Sequence, residues 1–316
     1  MTPAFSDVQA AAARLEGRVR RTPLLRHRAL DEAAGRPVWV KPEPLQITGS
    51  FKLRGATNAL LTERPRAVVT HSSGNHGQAV ACAAAALGIP ALIAMPADAP
   101  RVKVEATRAW GAEIHPFDRH GVDRDALAAR LAAERGGTVI PPFDHPQVIA
   151  GQGTAVLEAL QDMPAPPADI LVCTGGGGLL AGSALAAEGL APEARLWAVE
   201  PEGWDDYGRS LRAGARQAND GTAEGYCDAL LSKAPGEITF AVNAPRVAGG
   251  LVVTKAQVQA AMRFAFIHLK LVVEPGGAVA LAALLAGMAR ADGLALVLLS
   301  GGNVDPAIFA EALAAG

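Results

Sequence analysis

The chain has 316 residues, of which 50% are apolar and 19% charged, and its formal net charge at pH 7 is −2. This length allows a large core divided between two lobes. The charges nearly cancel and no basic run is present, which argues against nucleic acid or an anionic membrane as a partner. No apolar run reaches the length needed to cross a bilayer.

The amino-terminal segment "MTPAFSDVQAAAARLEGRVRR" predicts an amphipathic helix with a cap at Ser6 or Asp7. It does not resemble a signal peptide, because no apolar stretch follows a basic start. Cys82, Cys173 and Cys227 are scattered and lack C-x-x-C spacing, so neither a disulfide framework nor a zinc site is expected. These features predict a cytoplasmic protein.

From residue 67 onward, apolar strands alternate with Ala-rich helices across short loops. The pattern predicts strands at 67–70, 91–95, 113–117, 169–173, 195–200 and 294–300, and helices at 75–88, 101–111, 125–136, 153–160, 179–189, 255–270 and 277–288. Residues 201–249 are predicted to be irregular. Buried strands separated by helices indicate parallel α/β units, so we expect two α/β lobes with ligands at the carboxyl ends of strands.

Lys52 stands in "GSFKLRG" (49–55), between Phe51 and Leu53 and next to a predicted helix. Burial between apolar side chains would lower the pKa of the amine by desolvation. The stretch by itself fits either a lysine whose stem lies along apolar surface or a reactive amine.

The run Gly175–Gly178 joins a predicted buried strand to an apolar helix. Glycines at such a place let backbone N–H groups approach a phosphate closely, and a flexible linker is not expected there. A dinucleotide site is the alternative. The glycines and Ala181 match the G-x-G-x-x-A fingerprint, and Glu200 ends the next strand.

Two further loops follow predicted strands. The segment "HSSGNHG" (71–77) opens a helix, and its polar groups fit either an anion site or a helix cap at Ser73 or Asn75. Ser300 begins "SGGN" and fits either a turn residue or a partner for a heterocyclic nitrogen. Together with Lys52 and the glycine run, these loops indicate pyridoxal phosphate. A dinucleotide leaves Lys52 and the 71–77 loop without a role.

The chain resembles the fold-type II pyridoxal-phosphate enzymes of the serine/threonine dehydratase and serine racemase group. The motifs "SFKLRGA", "SSGNHGQA", "IAGQGT", "GGGGLLAG" and "SGGN" occur in this order, and the likeness runs from about residue 20 to about residue 310. It is most similar in look to the branch of threo-3-hydroxyaspartate dehydratases and serine racemases. The resemblance implies two open, twisted, mostly parallel sheets in a large domain (1–66 and 144–316) and a small domain (67–143), with the active site in the cleft.

The resemblance also implies roles for the residues of these motifs. Lys52 is expected to form the Schiff base, Phe51 to pack on the cofactor ring, Asn75 to bind the ring hydroxyl, Gly175, Gly176, Gly177 and Gly178 to hold the phosphate, and Ser300 to meet the pyridine nitrogen. The substrate carboxylate is expected to bind Ser72, Ser73, Gly74, Asn75 and His76. Lys52 and Ser73 are the expected catalytic residues, on opposite faces of the ring.

The implied reaction removes water and then ammonia from a β-hydroxy amino acid and gives a 2-keto acid. L-Serine, L-threonine and 3-hydroxyaspartate remain open as substrates. The second carboxylate of 3-hydroxyaspartate requires a cation, for which His145, Arg101 and Lys103 are candidates. Serine racemase activity is one alternative, and a β-replacement enzyme of the cysteine synthase type is another, although "FKLRG" and "SSGNHG" depart from its motifs. A cofactor carrier without catalytic activity is a further alternative.

The resemblance further implies a divalent-cation site formed by Glu200, Asp206 and the backbone carbonyl of Trp204. Oxygen ligands suit Mg²⁺ or Ca²⁺. Mg²⁺ is the expected cation, with Ca²⁺ or Mn²⁺ as alternatives. A solvated acidic loop is the other interpretation. A homodimer is also expected.

The segment "CDALLS" (227–232) departs from the group's pattern and places Ala229 where related chains have a glycine near the cofactor ring.

Overall fold

The computed structural model describes residues 2–72, 74–99, 101–118, 121–290 and 292–315, with the side chains of residues 102 and 103 excepted. The helices are α1 (Phe5–Leu15), α2 (Arg28–Ala34), α3 (Lys52–Glu63), α4 (Asn75–Leu87), α5 (Arg101–Arg108), α6 (Arg124–Glu134), α7 (Pro146–Asp162), α8 (Gly178–Leu190), α9 (Asp206–Ala213), α10 (Glu237–Asn243), α11 (Lys255–Phe264), α12 (Pro275–Leu285) and α13 (Pro306–Ala314). The strands are β1 (Val38–Pro42), β2 (Val68–His71), β3 (Ala91–Pro96), β4 (Glu113–Phe117), β5 (Thr138–Val139), β6 (Asp169–Cys173), β7 (Arg195–Pro201), β8 (Val247–Val253) and β9 (Ala295–Leu299). Short 3-10 turns at Glu43–Leu45 and Asp228–Leu230 and a π-helical turn at Ala265–Leu269 complete the regular structure.

The larger sheet has five strands in the order β1-β9-β6-β7-β8, and all of its pairings are parallel. Two of its interior strands, β6 and β9, are buried along their whole length, and Leu171 lies opposite Val297. Helix α12 packs against β6, β7 and β9, while α8 packs against β6 and β7. Apolar layers therefore cover both faces of this sheet, as continuous Val and Leu runs require.

The smaller sheet has four parallel strands in the order β4-β3-β2-β5. Helices α4 and α6 pack against it, and its core includes Val69, Leu92 and Leu131. The predicted α/β architecture with two parallel sheets is confirmed. The predicted domain boundaries stay a prediction.

The prediction that residues 201–249 are irregular is wrong, because the segment contains α9, α10 and the start of β8. Strand β8 is a half-exposed edge strand interrupted by Gly249 and Gly250, so it lacks an apolar period. A Cβ on Gly250 would lie 2.5 Å from Cα of Gly208. Gly250, one of the two glycines that interrupt the apolar period of this strand, is thus the residue that lets α9 pack closely on it.

Helix α7 begins at Pro146, seven residues before the predicted start at 153. The glycines of "IAGQGT" have low helix propensity, so the sequence pattern does not predict the first two turns of α7. A Cβ on Gly151 would lie 2.5 Å from the carbonyl oxygen of Arg54, and a Cβ on Gly153 would lie 2.6 Å from that of Gly182. These glycines let α7 pack closely against α3 and α8.

Helix α1 confirms the predicted amino-terminal helix, but its capping differs from the prediction. The N-cap is Ala4, and Asp7 accepts the Ala4 N–H at 2.8 Å from the first turn. All three cysteines are buried free thiols. None of the helices within the described residues has both the length and the apolar character that a membrane crossing requires.

Candidate active site

Lys52 is the first residue of α3 and lies beside the carboxyl end of β9. The N–H of Phe51 donates to the carbonyl oxygen of Ser300 at 3.1 Å, and Ser50 forms an isolated bridge with Gly301. The chain just before α3 is therefore attached to the "SGGN" segment. The structure thus brings together Lys52 and Ser300, which the sequence separates widely.

The amine of Lys52 is partly buried and has a single recorded acceptor among the described residues. Its Nζ donates to the carbonyl oxygen of Pro142 at 2.7 Å and lies 5.0 Å from the ring centroid of Phe51. Burial lowers the pKa of Lys52 to about 8, against the opposing effect of the negative charge of Glu274. An amine with this pKa is partly neutral near pH 7.5, so it is available as a nucleophile and as a base.

The Gly175–Gly178 loop, which we call the glycine loop, joins β6 to α8. A Cβ on Gly176 would lie 2.5 Å from the ring of Phe143, and a Cβ on Gly178 would lie 2.7 Å from Oε1 of Gln152. Pro142, which accepts from Lys52, directly precedes Phe143. The loop and the lysine therefore share one neighbouring segment of chain.

The N–H groups of the glycine loop are oriented by contacts to their carbonyls. The carbonyl oxygen of Gly176 accepts from Oγ1 of Thr239 at 2.7 Å, and that of Gly177 accepts from Nδ2 of Asn243 at 3.3 Å. In a trans peptide the N–H points away from the C=O, so the following N–H groups face away from α10. The N–H groups of Gly175, Gly176 and Gly177 donate to no described residue. The loop can therefore offer several unpaired donors to an anion.

Asn75 is the first residue of α4 and reaches across to the other sheet. Its Nδ2 donates to Oε1 of Glu274 at 2.6 Å, and its Oδ1 accepts from Nδ2 of Asn303 at 2.7 Å. The N-cap of α4 is Gly74 and Asn75 is the first helical residue, so the alternative of a helix cap does not hold at Asn75. These bonds place Asn75 next to the "SGGN" segment that carries Ser300.

The segment around Asn75 brings two more of the predicted residues together. Oγ of Ser72 accepts the N–H of Gly74 at 3.2 Å. His76 is buried, and Nε2 lies 2.8 Å from the carbonyl oxygen of Ile140. Burial and then the positive charge of Lys52 lower the pKa of His76 to about 3, so its ring is neutral and Nε2 donates. Ser73, predicted to be catalytic, lies outside the described residues.

The predicted cation ligands lie at the carboxyl end of β7. Both oxygens of Glu200 accept backbone N–H groups at the start of α9, from Tyr207 at 2.7 Å and from Gly208 at 2.8 Å. Oδ1 of Asp206 accepts from Asn219 at 2.5 Å, and its buried Oδ2 has no partner among the described residues. Burial raises the pKa of Glu200 well above its usual range and that of Asp206 to about 6. Within the described part of the chain, no group of three or more His, Cys, Asp and Glu side chains could hold a metal ion.

Trp204 lies between these two acids in sequence and is half-buried. Its Nε1 donates to the carbonyl oxygen of Glu224 at 3.3 Å, and its N–H donates to that of Pro201 at 3.0 Å. The side chain is thereby fixed away from a ligand role, and only its carbonyl is available to a cation.

Sequence reasoning missed Glu274 and the carbonyl of Pro142. Glu274 is 3% exposed, binds Asn75 and influences the charge of Lys52. The signal for it was a single acid at the end of the apolar run "LKLVVEPGG", because an acid is rarely buried without a purpose. No sequence pattern marks a backbone carbonyl as an acceptor.

The candidate cations for a second substrate carboxylate are already paired where they are described. Nε2 of His145 lies 2.7 Å from Oε1 of Glu63, and Nε of Arg101 lies 2.5 Å from Oε1 of Glu105. The side chain of Lys103 lies outside the described residues.

Ala229, which stands where related chains have a glycine, lies in the 3-10 turn beside Gly276. A Cβ built on Gly276 would lie 3.1 Å from Cβ of Ala229.

Comparison with known proteins agrees with this arrangement. The chain matches the family model described as pyridoxal-phosphate dependent enzyme over residues 15–301. It is 43% identical to an L-threo-3-hydroxyaspartate ammonia-lyase from Pseudomonas sp, over 98% of both chains. It is 39% identical to a serine racemase from Schizosaccharomyces pombe, over 98% of this chain and 97% of the relative.

A solved structure is similar along nearly the whole chain. The threonine deaminase of T.th. is 44% identical, covers 96% of this chain and 99% of its own, and superimposes with a TM-score of 0.90. This likeness and the family match decide against the dinucleotide alternative. The lysine, the glycine loop and the family match agree, and the chain belongs to the pyridoxal-phosphate dependent enzymes.

Proposed function

We propose that this protein is an ammonia-lyase that removes water and ammonia from a β-hydroxy amino acid and releases a 2-keto acid. The observation that carries the proposal is that the pKa-lowered amine of Lys52 and the glycine loop contact the same segment, Lys52 at Pro142 and the loop at Phe143. The N–H groups of Gly175, Gly176 and Gly177 have no acceptor among the described residues. The relatives named L-threo-3-hydroxyaspartate ammonia-lyase and the threonine deaminase structure add support.

The donor set fits pyridoxal phosphate. The glycine loop would hold the phosphate, because the N–H groups of Gly175, Gly176 and Gly177 have no acceptor among the described residues. Only glycines fit the loop, since a Cβ at Gly176, Gly177 or Gly178 would collide with Phe143, Tyr207 or Gln152. Phe51 would pack on the ring, Asn75 would bind the ring hydroxyl, and Ser300 would face the ring nitrogen. When bound, the cofactor supplies an aldehyde for amine exchange and a ring that withdraws electrons from Cα.

The residues of this chain would then share the work on the substrate. Lys52 takes the α-proton as its neutral amine. The 72–76 segment binds the carboxylate, with backbone N–H groups at the start of α4 and the side chains of Ser72 and Asn75 as donors. Neutral His76 adds no charge to this site.

3-Hydroxyaspartate is the substrate we place first, with L-serine and L-threonine next. The support is the 43% and 40% identity to two proteins named for that substrate, from Pseudomonas sp and Saccharomyces cerevisiae. Serine racemase activity is the second candidate function, supported by the 39% identity to the Schizosaccharomyces pombe protein of that name. In that reaction Ser73 would exchange the α-proton on the face opposite Lys52.

We also place a divalent cation, Mg²⁺ first, at Glu200, Asp206 and the carbonyl of Trp204. The support is that Oδ2 of Asp206 has no partner among the described residues and that Glu200 and Asp206 are both buried, where a cation would offset their negative charge. A homodimer and a cytoplasmic location belong to the same proposal, and light scattering and fractionation of cells test them.

Product release tests the function. Purified protein is given 3-hydroxyaspartate, L-serine and L-threonine in turn, with Mg²⁺ or with EDTA, and 2-keto acid is measured together with D-serine. The proposal expects keto acid from at least one substrate and a fall in rate of about 10³-fold or more in Lys52→Ala. Keto acid from none of the three, with the cofactor bound, would contradict it.

A further inference from the structure

Tyr207 lies behind the glycine loop and is fully buried. It is the second residue of α9, and the proposed chemistry gives its side chain no role. Its phenol and its backbone N–H contact two different parts of the site, which makes it a candidate for linking them.

The side chain of Tyr207 closes the back of the glycine loop. Gly177 has a φ of +91°, and a Cβ there would lie 2.4 Å from Cε2 and 2.5 Å from Oη of Tyr207. Nδ2 of Asn243 donates to Oη of Tyr207 at 2.7 Å and to the carbonyl oxygen of Gly177 at 3.3 Å. The phenol and the loop carbonyl therefore share one donor, so a shift of the ring moves the loop.

The backbone of Tyr207 contacts the acidic pair. Its N–H donates to Oε1 of Glu200 at 2.7 Å, and Asp206 is its neighbour in the chain. A cation held between Glu200 and Asp206 would fix the first turn of α9, and with it the position of the phenol. Tyr207 therefore contacts Glu200 through its backbone N–H and Gly177 through its ring.

We infer that Tyr207 is a positioning residue that couples the proposed cation site to the glycine loop, so that Mg²⁺ strengthens the binding of pyridoxal phosphate. The inference rests on the proposed cofactor and cation, and it adds a dependence between them. Coupling of this kind is reciprocal and is commonly worth about fivefold or more in affinity.

The experiment measures cofactor release from the holoenzyme rather than turnover. Equilibrium dialysis of the full-length holoenzyme gives the Kd of pyridoxal phosphate in MgCl₂ and in EDTA, and the ratio of the two is compared among variants. Tyr207→Phe keeps the ring and removes the hydroxyl, while Tyr207→Leu removes the ring contact with Gly177. Tyr226→Phe is the matched control, because its hydroxyl contacts Met262 in another part of the core.

We expect the wild type and Tyr226→Phe to release the cofactor about fivefold or more readily in EDTA, Tyr207→Phe to show a smaller ratio, and Tyr207→Leu a ratio near one. Using a ratio within each variant cancels any general loss of affinity. An unchanged ratio in both Tyr207 variants, or a wild-type ratio of one, would overturn the inference. Keto-acid release from the wild type, measured in parallel, would still support the proposed function in either case.

Discussion

At the scale of single residues, two opposing effects set the charge of the Lys52 amine. Burial lowers its pKa, and the carboxylate of Glu274 raises it, with burial the larger effect and a result of about 8. An exposed lysine has a pKa near 10.4, so this amine is neutral far more often at physiological pH. The Pro142 carbonyl holds the amine without donating a proton or adding a full charge.

The rate of covalent cofactor attachment to Lys52 should follow this pKa. Only the neutral amine attacks an aldehyde, so the rate should rise with pH through about 8 and level off above it. Apo-protein is mixed with pyridoxal phosphate between pH 6 and pH 10, and attachment is followed by absorbance and by borohydride trapping. A midpoint near 10.4, or modification of another lysine, would contradict the assignment.

Glu274→Gln provides a second check on the same amine. Because the charge of Glu274 raises the pKa of Lys52, its removal should move the midpoint below about 8. Glu188→Gln serves as the control, since that acid is exposed and pairs with Arg246. An upward shift in Glu274→Gln would mean that the carboxylate acts on Lys52 in some other way.

At the scale of elements, glycines determine how closely helices and loops pack around the site. Gly151 and Gly153 bring α7 against α3 and α8, and Gly208 and Gly250 bring α9 against β8. Gly177 combines a left-handed backbone with close contact to Tyr207. The shape of the glycine loop therefore depends on what lies behind it as well as on the flexibility of glycine.

Gly177→Ala should impair both stability and cofactor binding. The methyl group would meet Tyr207 at 2.4 Å in a backbone conformation that L-residues avoid. We expect the overlap to destabilise the fold by about 1–3 kcal/mol beyond the backbone strain. Urea unfolding of the apo-protein and cofactor titration measure the two effects.

Gly214→Ala is the control that separates the cost of backbone strain from the cost of steric overlap with Tyr207. Gly214 ends α9 with a φ of +65° and has open space around its Cβ position, so only the backbone strain of about 1–2 kcal/mol applies. Cofactor affinity should stay unchanged in this variant. Equal destabilisation in the two variants would show that contact with Tyr207 contributes nothing.

At the scale of the whole molecule, a buried ionic cluster joins segments that are distant in sequence. Arg54 of α3 contacts Glu43 at 2.8 Å and Glu158 of α7 at 2.7 Å, and Lys41 of β1 contacts Glu158 at 2.7 Å. Arg54, Glu43 and Lys41 are 0% exposed. The cluster attaches α3, two residues after Lys52, to the larger sheet and to α7.

Arg54→Leu should destabilise the protein strongly. Among the described residues, removing the guanidinium leaves Lys41 as the cation beside Glu43 and Glu158. Breaking a buried pair costs about 3–5 kcal/mol. Arg28→Leu is the control, because its pair with Glu32 is exposed, and such pairs contribute about 1 kcal/mol or less. Urea unfolding followed by tryptophan fluorescence compares the two, and similar midpoints would refute the ionic role.

Local pattern predicted β4 and β6 with the bounds that the structure has, since both are continuous strands bordered by turn residues. The sequence did not predict β8 or the first turns of α7, because their glycines interrupt the period that marks an element. Those glycines allow close contacts with other elements, and the local hydrophobic periodicity of a sequence does not indicate such contacts. The same reasoning explains why Glu274 and Pro142 were not identified as parts of the site.

By itself the sequence determined the α/β class and the parallel strands and indicated pyridoxal phosphate, because periodicity and residue chemistry are local properties. The tertiary structure alone decided that Lys52 meets Ser300 through the Phe51 N–H, that Asn75 reaches Glu274, and that Tyr207 lies behind Gly177. Distances and burial depend on how the two sheets and their helices pack. The pKa of Lys52, which burial lowers to about 8, is likewise a product of that packing.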